Sequence, residues 1–286
     1  MIPSALLDQW RAGLTDGSIV PYLGPGVLAD VRSKLDGRPI PATGEQLILA
    51  MNNGQPMAPK LMYEFPRAAM NIELKRGRSA VTRFLDATYA TSKWTRAALH
   101  DWLGEIAPTY VIDINRDTQL QDSYAHMPHL LILGCARIGG TDYRFKLFAH
   151  DGDSYAEIDP TQADPALPIL FKPMGAPLPK SSYIASDADY VDYITELMGG
   201  FAVPRFVKTH RKGKRYLLLG MRLNRDSERM VFSDLIYDAA KEPSGWALIA
   251  APTDKERRFC ARQGIELVEA ELGALVAELA RSPVAA

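Results

Sequence analysis

Apolar runs of strand length recur along the chain: IVPYLG at 19–24, YVIDIN at 110–115, LLILG at 130–134, ILFK at 169–172, YLLLG at 216–220, ALIAA at 247–251 and IELVEA at 265–270. Several lack a strict alternation of polar and apolar positions, which is the pattern of strands covered on both faces, as in a parallel sheet. Helical patterns lie between them. Thr43 and Gln46 stand in capping-box spacing at the head of a helix over 43–51. Val81, Phe84, Leu85, Ala98, Trp102 and Ile106 give helical spacing across 79–106. In SDADYVDYITELMGGF (186–201), Ser186 can cap and Asp187 and Asp189 suit the positive first turn, while Tyr190, Ile194, Leu197 and Met198 share a face. Gly199 and Gly200 end that helix. Leu272, Leu275, Val276 and Leu279 mark a last one over 271–281.

Strands alternating with helices predict an α/β fold, a Rossmann-like parallel sheet flanked by helices. Residues 139–168 break the rhythm. Tyr143, Phe145 and Leu147 alternate, DGD at 151–153 can turn, and Tyr155 and Ile158 return, so a small inserted β-hairpin is expected, followed by a Pro- and Asp-rich loop at 159–168. With no repeat and no low-complexity linker, the expectation is one domain over 1–286 that carries this insertion.

Charge and cysteine content narrow the function. Lys and Arg total 33 against 34 Asp and Glu, so there is no basic excess for a phosphate backbone and no nucleic-acid partner is expected. No apolar run reaches the ~20 residues of a membrane span, and the first residues lack a basic-then-apolar leader. A cytoplasmic protein without a membrane partner is expected. Cys135 and Cys260 are too few for a disulfide framework or a four-cysteine zinc site. They read as small apolar side chains, and no metal is expected.

The candidate chemistry begins at 23–29, LGPGVLA, which fits GxGxxA through Gly24, Gly26 and Ala29. Such a turn lets a pyrophosphate approach backbone N–H groups at a helix N-terminus. It is also an ordinary turn in which glycine serves backbone geometry. The acidic residue that a dinucleotide fold places about 20 positions on has its nearest match in Glu45, within a helix first turn. Tyr22 beside the turn reads as core rather than as a stacking platform.

The order of motifs resembles the sirtuin-like (silent information regulator-like) NAD-binding domains, a group that includes bacterial NAD hydrolases. PYLGPGVL at 21–28 is similar to the family's GAG-type loop, with Pro25 at the alanine and Leu28 at the usual serine. PATGEQLILA at 41–50 resembles its PTG-E-L helix start, and DINRD at 113–117 its TTNxD strand end, which maps Asn115 and Asp117 onto the paired Asn and Asp. FKPMG at 171–175 resembles KxHG, SDADYVDYI its acidic DY helix, and LLLGMRLNRD at 217–226 its strand ending in glycine followed by an acid. The likeness spans roughly 15–280.

The resemblance implies that NAD, or another ADP-ribose-type nucleotide, is held by Gly24, Pro25, Gly26, Val27, Asn115, Met174, Gly220 and Met221. It implies Asn115 and Asp117 as the catalytic pair. In the family an asparagine positions the ribose hydroxyls and a water, and a histidine is the base. Asn115 suits the first task because an amide both donates and accepts, although the residues alone, without the resemblance, favour a turn-forming Asn that caps the strand. Met174 stands where the histidine should be, and a thioether takes no proton at neutral pH.

The substitutes in the sequence are His150, His210, Asp113 and Asp117. The two histidines read as exposed loop residues, and Asp117 as a group that orients Asn115 or buttresses the loop. His126 and His129 flank Pro128 without a third ligand and read as surface; THRKGKR at 209–215 reads as a solvated hairpin turn. Sirtuin deacetylation goes with a zinc ribbon, which two distant cysteines cannot build. Two functions follow: an enzyme hydrolysing NAD to nicotinamide and ADP-ribose, or a pseudoenzyme whose bound nucleotide is read by a protein partner or a homo-oligomer. An assembly protein with a vestigial pocket and a nucleotide transferase with a carboxylate base are more distant alternatives.

Overall fold

The computed structural model describes residues 2–90, 93–138 and 143–281. Helix α1 (Ser4–Thr15) buries Leu7, Trp10 and Leu14 and leads into strand β1 (Ile19–Leu23), which is buried along its whole length. Helices α2 (Gly44–Met51), α3 (Pro59–Met62), α4 (Phe65–Arg76), α5 (Arg78–Tyr89) and α6 (Ala98–Ile106) precede β2 (Tyr110–Asp113). Then come α7 (Gln119–Ser123), β3 (His129–Gly134), β4 (Phe145–His150), β5 (Tyr155–Glu157), β6 (Ile169–Lys172), β7 (Gly175–Ala176) and β8 (Ser182–Tyr183). The chain closes with α8 (Asp187–Gly199), α9 (Arg205–His210), β9 (Arg215–Leu219), α10 (Asp226–Leu235), β10 (Gly245–Leu248), α11 (Asp254–Arg262), β11 (Ile265–Val268) and α12 (Leu272–Arg281).

Nine strands form one sheet in the order β11-β10-β9-β1-β2-β6-β3-β4-β5, and β7 pairs with β8 in a separate two-stranded ribbon. Every pairing from β11 to β3 is parallel, whereas β3–β4 and β4–β5 are antiparallel. Successive residues feed opposite faces, as strand geometry requires. Leu131, Leu133, Leu217 and Leu219 join one apolar cluster with α1, α2, α4, α5 and α6. Leu130, Ile132, Tyr216 and Leu218 join the other with α8, α10 and α11. Burial on both faces is why these strands read as unbroken apolar runs.

The predicted capping box is present: Gln46 N–H donates to Thr43 Oγ1, and Gln46 Oε1 accepts from Thr43 N. At the head of α8 Asp189 Oδ2 accepts from Ser186 N, and Gly200 ends the helix in the left-handed region at φ 84°. The span 79–106 is two helices rather than one. Between them Lys93 O accepts from Lys34 N, and Thr95 N donates to Arg32 O, so that stretch hydrogen-bonds to another loop instead of to itself. The inserted hairpin exists as β4 and β5 on the edge of the sheet, and its first residues, 139–142, lie outside the described residues. THRKGKR does not form a hairpin turn: His210 ends α9, and the turn that follows ties Gly213 N to Asp238 O. The side chain of Leu279 lies outside the described residues.

Candidate functional site

β1 is flanked by β2 on one side and β9 on the other, so the connections leaving its neighbours diverge and a crevice opens beyond the C-terminal strand ends. A cavity of about 760 Å³ occupies that position. Pro25, Gly26, Asn115, Met174, Gly220 and Met221 line it, with Thr43–Glu45 and 62–66 among the residues across from them. Gly24, Val27 and Asp117 do not reach its wall.

The glycines bring two turns together. After β1 the chain makes a single 3-10 turn, Pro25–Leu28, and not an α-helix. Gly24 N donates to Leu219 O, Gly26 N to Gly220 O (2.9 Å), and Val27 N to Gly24 O. A Cβ on Gly26 would stand 2.8 Å from Gly220 Cα, and Gly220 sits at φ 67°. These N–H groups are spent on carbonyls, so the expectation that they cradle a pyrophosphate is corrected: the glycines serve the close approach of the two turns.

Beneath the turns lies a fully buried polar group. Lys172 Nζ is 2.7 Å from Asp113 Oδ2, and His100 Nε2 is 3.6 Å from the same oxygen. Burial acts to raise the Asp113 pKa, but the Lys172 charge, with His100 and hydrogen bonds, outweighs it and holds the carboxyl well below its ordinary range. Asp113 Oδ1 accepts from both the backbone N and Nδ2 of Asn115, and Nδ2 also donates to Gly24 O at 3.0 Å. Carboxylate and carbonyl are acceptors only, so the amide's orientation is fixed by chemistry and Oδ1 is the acceptor left over. Asp113, not Asp117, therefore orients Asn115. Asp117 Oδ1 accepts from Gln119 N in its own turn.

The histidines fall elsewhere. His150 is buried, not exposed, at the end of β4, where it stacks on His129 with centroids 4.6 Å apart. His129 is likewise buried rather than on the surface: Nδ1 lies 2.9 Å from Met127 O and Nε2 2.7 Å from Tyr155 OH, and burial lowers its pKa to about 4. β3 is buried at every position, so a side chain on it is covered whichever face it takes. His210 is half-buried, edge-on to Tyr110 at the opposite end of β2 from Asn115. Tyr22 is core, edge-on to Phe232. Cys135 and Cys260 are buried, with thiol pKa values pushed up by desolvation to about 12 and about 11.

Sequence reasoning missed the charged wall of the cavity. Arg116 is buried; its Nε and Nη2 donate to Ile184 O, Nη2 reaches Tyr190 OH at 3.4 Å, and the guanidinium lies 5.2 Å from the Phe65 ring centroid. It forms no ion pair among the described residues. Arg225 lies over the exposed Tyr63 ring at 3.9 Å. Glu64 and Glu228 face the same space, and burial raises both carboxyls, Glu228 to about 7. The only signal for Arg116 was its place between Asn115 and Asp117. Glu228, in the first turn of α10, is indistinguishable in sequence from an acid placed for the helix dipole.

Sheet and cleft together define a Rossmann-like α/β protein with a cleft beyond the strand C-termini. The family model for the SIR2-like domain matches residues 112–268, more than half of the chain, and the chain belongs to that family. Comparison with curated proteins returns no match. Among the described residues no helix is long and apolar enough to cross a membrane, and no group of three or more His, Cys, Asp or Glu is arranged to hold a metal.

Proposed function

We propose that the cleft binds NAD or a related ADP-ribose-containing nucleotide, and that hydrolysis of the nicotinamide ribosyl bond is the reaction it serves. The carrying observation is Arg116, a buried cation on the cavity wall without a carboxylate partner, whose Nη1 has no partner among the described residues. A buried charge calls for a counter-charge, and a pyrophosphate supplies one. The cavity volume falls in the range of cofactor-sized sites. Asn115 Oδ1 is a fixed acceptor for a ribose hydroxyl or a water, the positioning that effective molarity depends on. NAD itself brings a cationic pyridinium whose departure as neutral nicotinamide drives the bond cleavage.

Met174 favours a second reading, a nucleotide-binding module without turnover, because its buried thioether occupies the cavity wall at the position of the family's histidine. The two readings separate in one experiment: melting temperature and nicotinamide release with NAD, for the wild type, Asn115→Ala and Met174→His. Stabilisation by NAD follows from binding to the native state. Release that disappears in Asn115→Ala is the outcome expected of the enzyme; stabilisation without release, with activity gained in Met174→His, is that of the module. No response to NAD would sink both.

A further inference from the structure

The groups that the sequence offers in place of the missing histidine are all unavailable. His150, at the end of β4 in the edge hairpin, is stacked on His129, and His210 lies at the far end of β2. Asp113 is locked to Lys172 and Asn115; Asp117 Oδ1 accepts from Gln119 N, and although its buried Oδ2 has no hydrogen-bond partner among the described residues, Asp117 does not line the cavity. Glu228 differs from each of them. It lines the cavity that also exposes Asn115 and Met174, and its Oε2 is buried with no hydrogen-bond partner among the described residues. A shielded orphan oxygen on a residue beside a ligand-sized cleft calls for a proton, a water or a ligand as its partner.

A continuous set of contacts ties the Met174 position to this wall. Ile184 N donates to Met174 O, Ile184 O accepts from Arg116, and Arg116 reaches Tyr190 OH. Tyr190, Arg116 and Glu228 all line the one cavity.

We propose that Glu228 is the general base for hydrolysis of NAD in this chain, an inference that rests on the NAD reading above. As the ribosyl carbon–nitrogen bond breaks, its electron pair leaves with nicotinamide and cancels the pyridinium charge. The oxygen of a water bonds to that carbon, and the water's proton passes to the Glu228 carboxylate, which returns it to solvent. Water and NAD are consumed; nicotinamide, ADP-ribose and one proton are formed.

The charged and titratable groups around Glu228 fit the role. Arg225 from the preceding loop lowers its pKa, while Glu64 ahead of α4 and Glu256 of α11 raise it, and burial is the largest influence. Tyr22 of β1 and Tyr190 of α8 feel its charge in turn. The net result, about 7, suits a base working near neutrality.

The test compares the wild type with Glu228→Gln and Glu228→Asp. It measures nicotinamide release from pH 5 to 9, the dissociation constant of NAD by calorimetry, and the carboxyl resonance of Glu228 by carbon NMR. The proposal expects wild-type kcat to rise with pH through a single ionisation near that of the observed resonance. In Glu228→Gln, kcat falls about 100-fold or more with loss of that rise. NAD affinity should stay within a factor of about three, and Glu228→Asp should recover part of the rate with a shifted profile. A carboxylate that only caps α10 would leave the pH profile unmoved. Glu228→Gln with wild-type release and pH dependence overturns the assignment but leaves the NAD reading standing, as does a wild type that binds NAD and releases nothing. Absence of NAD binding removes the reading and the assignment together.

Discussion

Lys172 Nζ meets Asp113 Oδ2 at 2.7 Å with both side chains wholly out of solvent, directly below the asparagine that faces the cleft. Removing one partner strands the other's charge, so Lys172→Met should destabilise the protein by about 3–5 kcal/mol in urea unfolding at pH 7, and the double variant with Asp113→Asn by less. The sign with pH follows from the lowered Asp113 pKa. Its stabilisation is fully present above the unfolded carboxylate value and is lost only as pH falls toward the depressed folded value. Wild-type protein should therefore keep this contribution to about pH 4 and lose it in stronger acid.

Asn115→Asp should be worse for stability than Asn115→Ala. The alanine removes two donors and a small volume, a loss of roughly 1–3 kcal/mol. The aspartate adds a carboxylate against Asp113 Oδ1 and an acceptor against Gly24 O, where only donors fit. Thermal melts at pH 7 should rank the wild type first, Asn115→Ala second and Asn115→Asp last. Raising the pH to 8 should leave that order unchanged.

Gly26→Ala should separate the two turns. The new methyl would lie 2.8 Å from Gly220 Cα and 3.0 Å from Gly220 O, backbone atoms that cannot rotate aside. Overpacking of this kind costs about 1–3 kcal/mol. Calorimetric titration should show NAD affinity weakened by about tenfold or more if the strain moves Asn115, which hangs from Gly24 O.

Glu228→Gln should stabilise the protein at alkaline pH. The folded pKa is raised from 4.5 to about 7, so the native state holds the proton more tightly than the unfolded chain does. Stability on this account is fully present below about 4.5 and declines as pH rises through about 7. Glutamine carries no such decline. Melting curves should coincide near pH 4 and diverge in the variant's favour by pH 8, by at most about 3 kcal/mol.

Much of this architecture was legible because burial on both faces writes itself as uninterrupted apolar runs. The strands at 130–134 and 216–220 and the Thr43 cap are examples in which local chemistry and tertiary structure agree, whereas at Ser186 it is Asp189, reaching back to the Ser186 N–H, that closes the helix start. The span 79–106 misled because a helical period says nothing of a segment whose backbone partners are at Arg32 and Lys34. The glycine turn misled in another way. Its spacing reports that backbones come close, without saying whether the neighbour is a phosphate or, as here, a second turn. Arg116 and Glu228 were not marked by periodicity or spacing, since a cavity wall is assembled from loops and helix ends that meet only in three dimensions.

Asn115 has a last consequence for how the cleft meets its ligand. With both amide hydrogens given to groups that can only accept, the oxygen's direction is set when the chain folds and needs no rotamer search on binding. The ordering entropy of that contact is charged to folding rather than to association. A preorganised acceptor of this kind implies that ligand-free and ligand-bound forms share one geometry at the strand end.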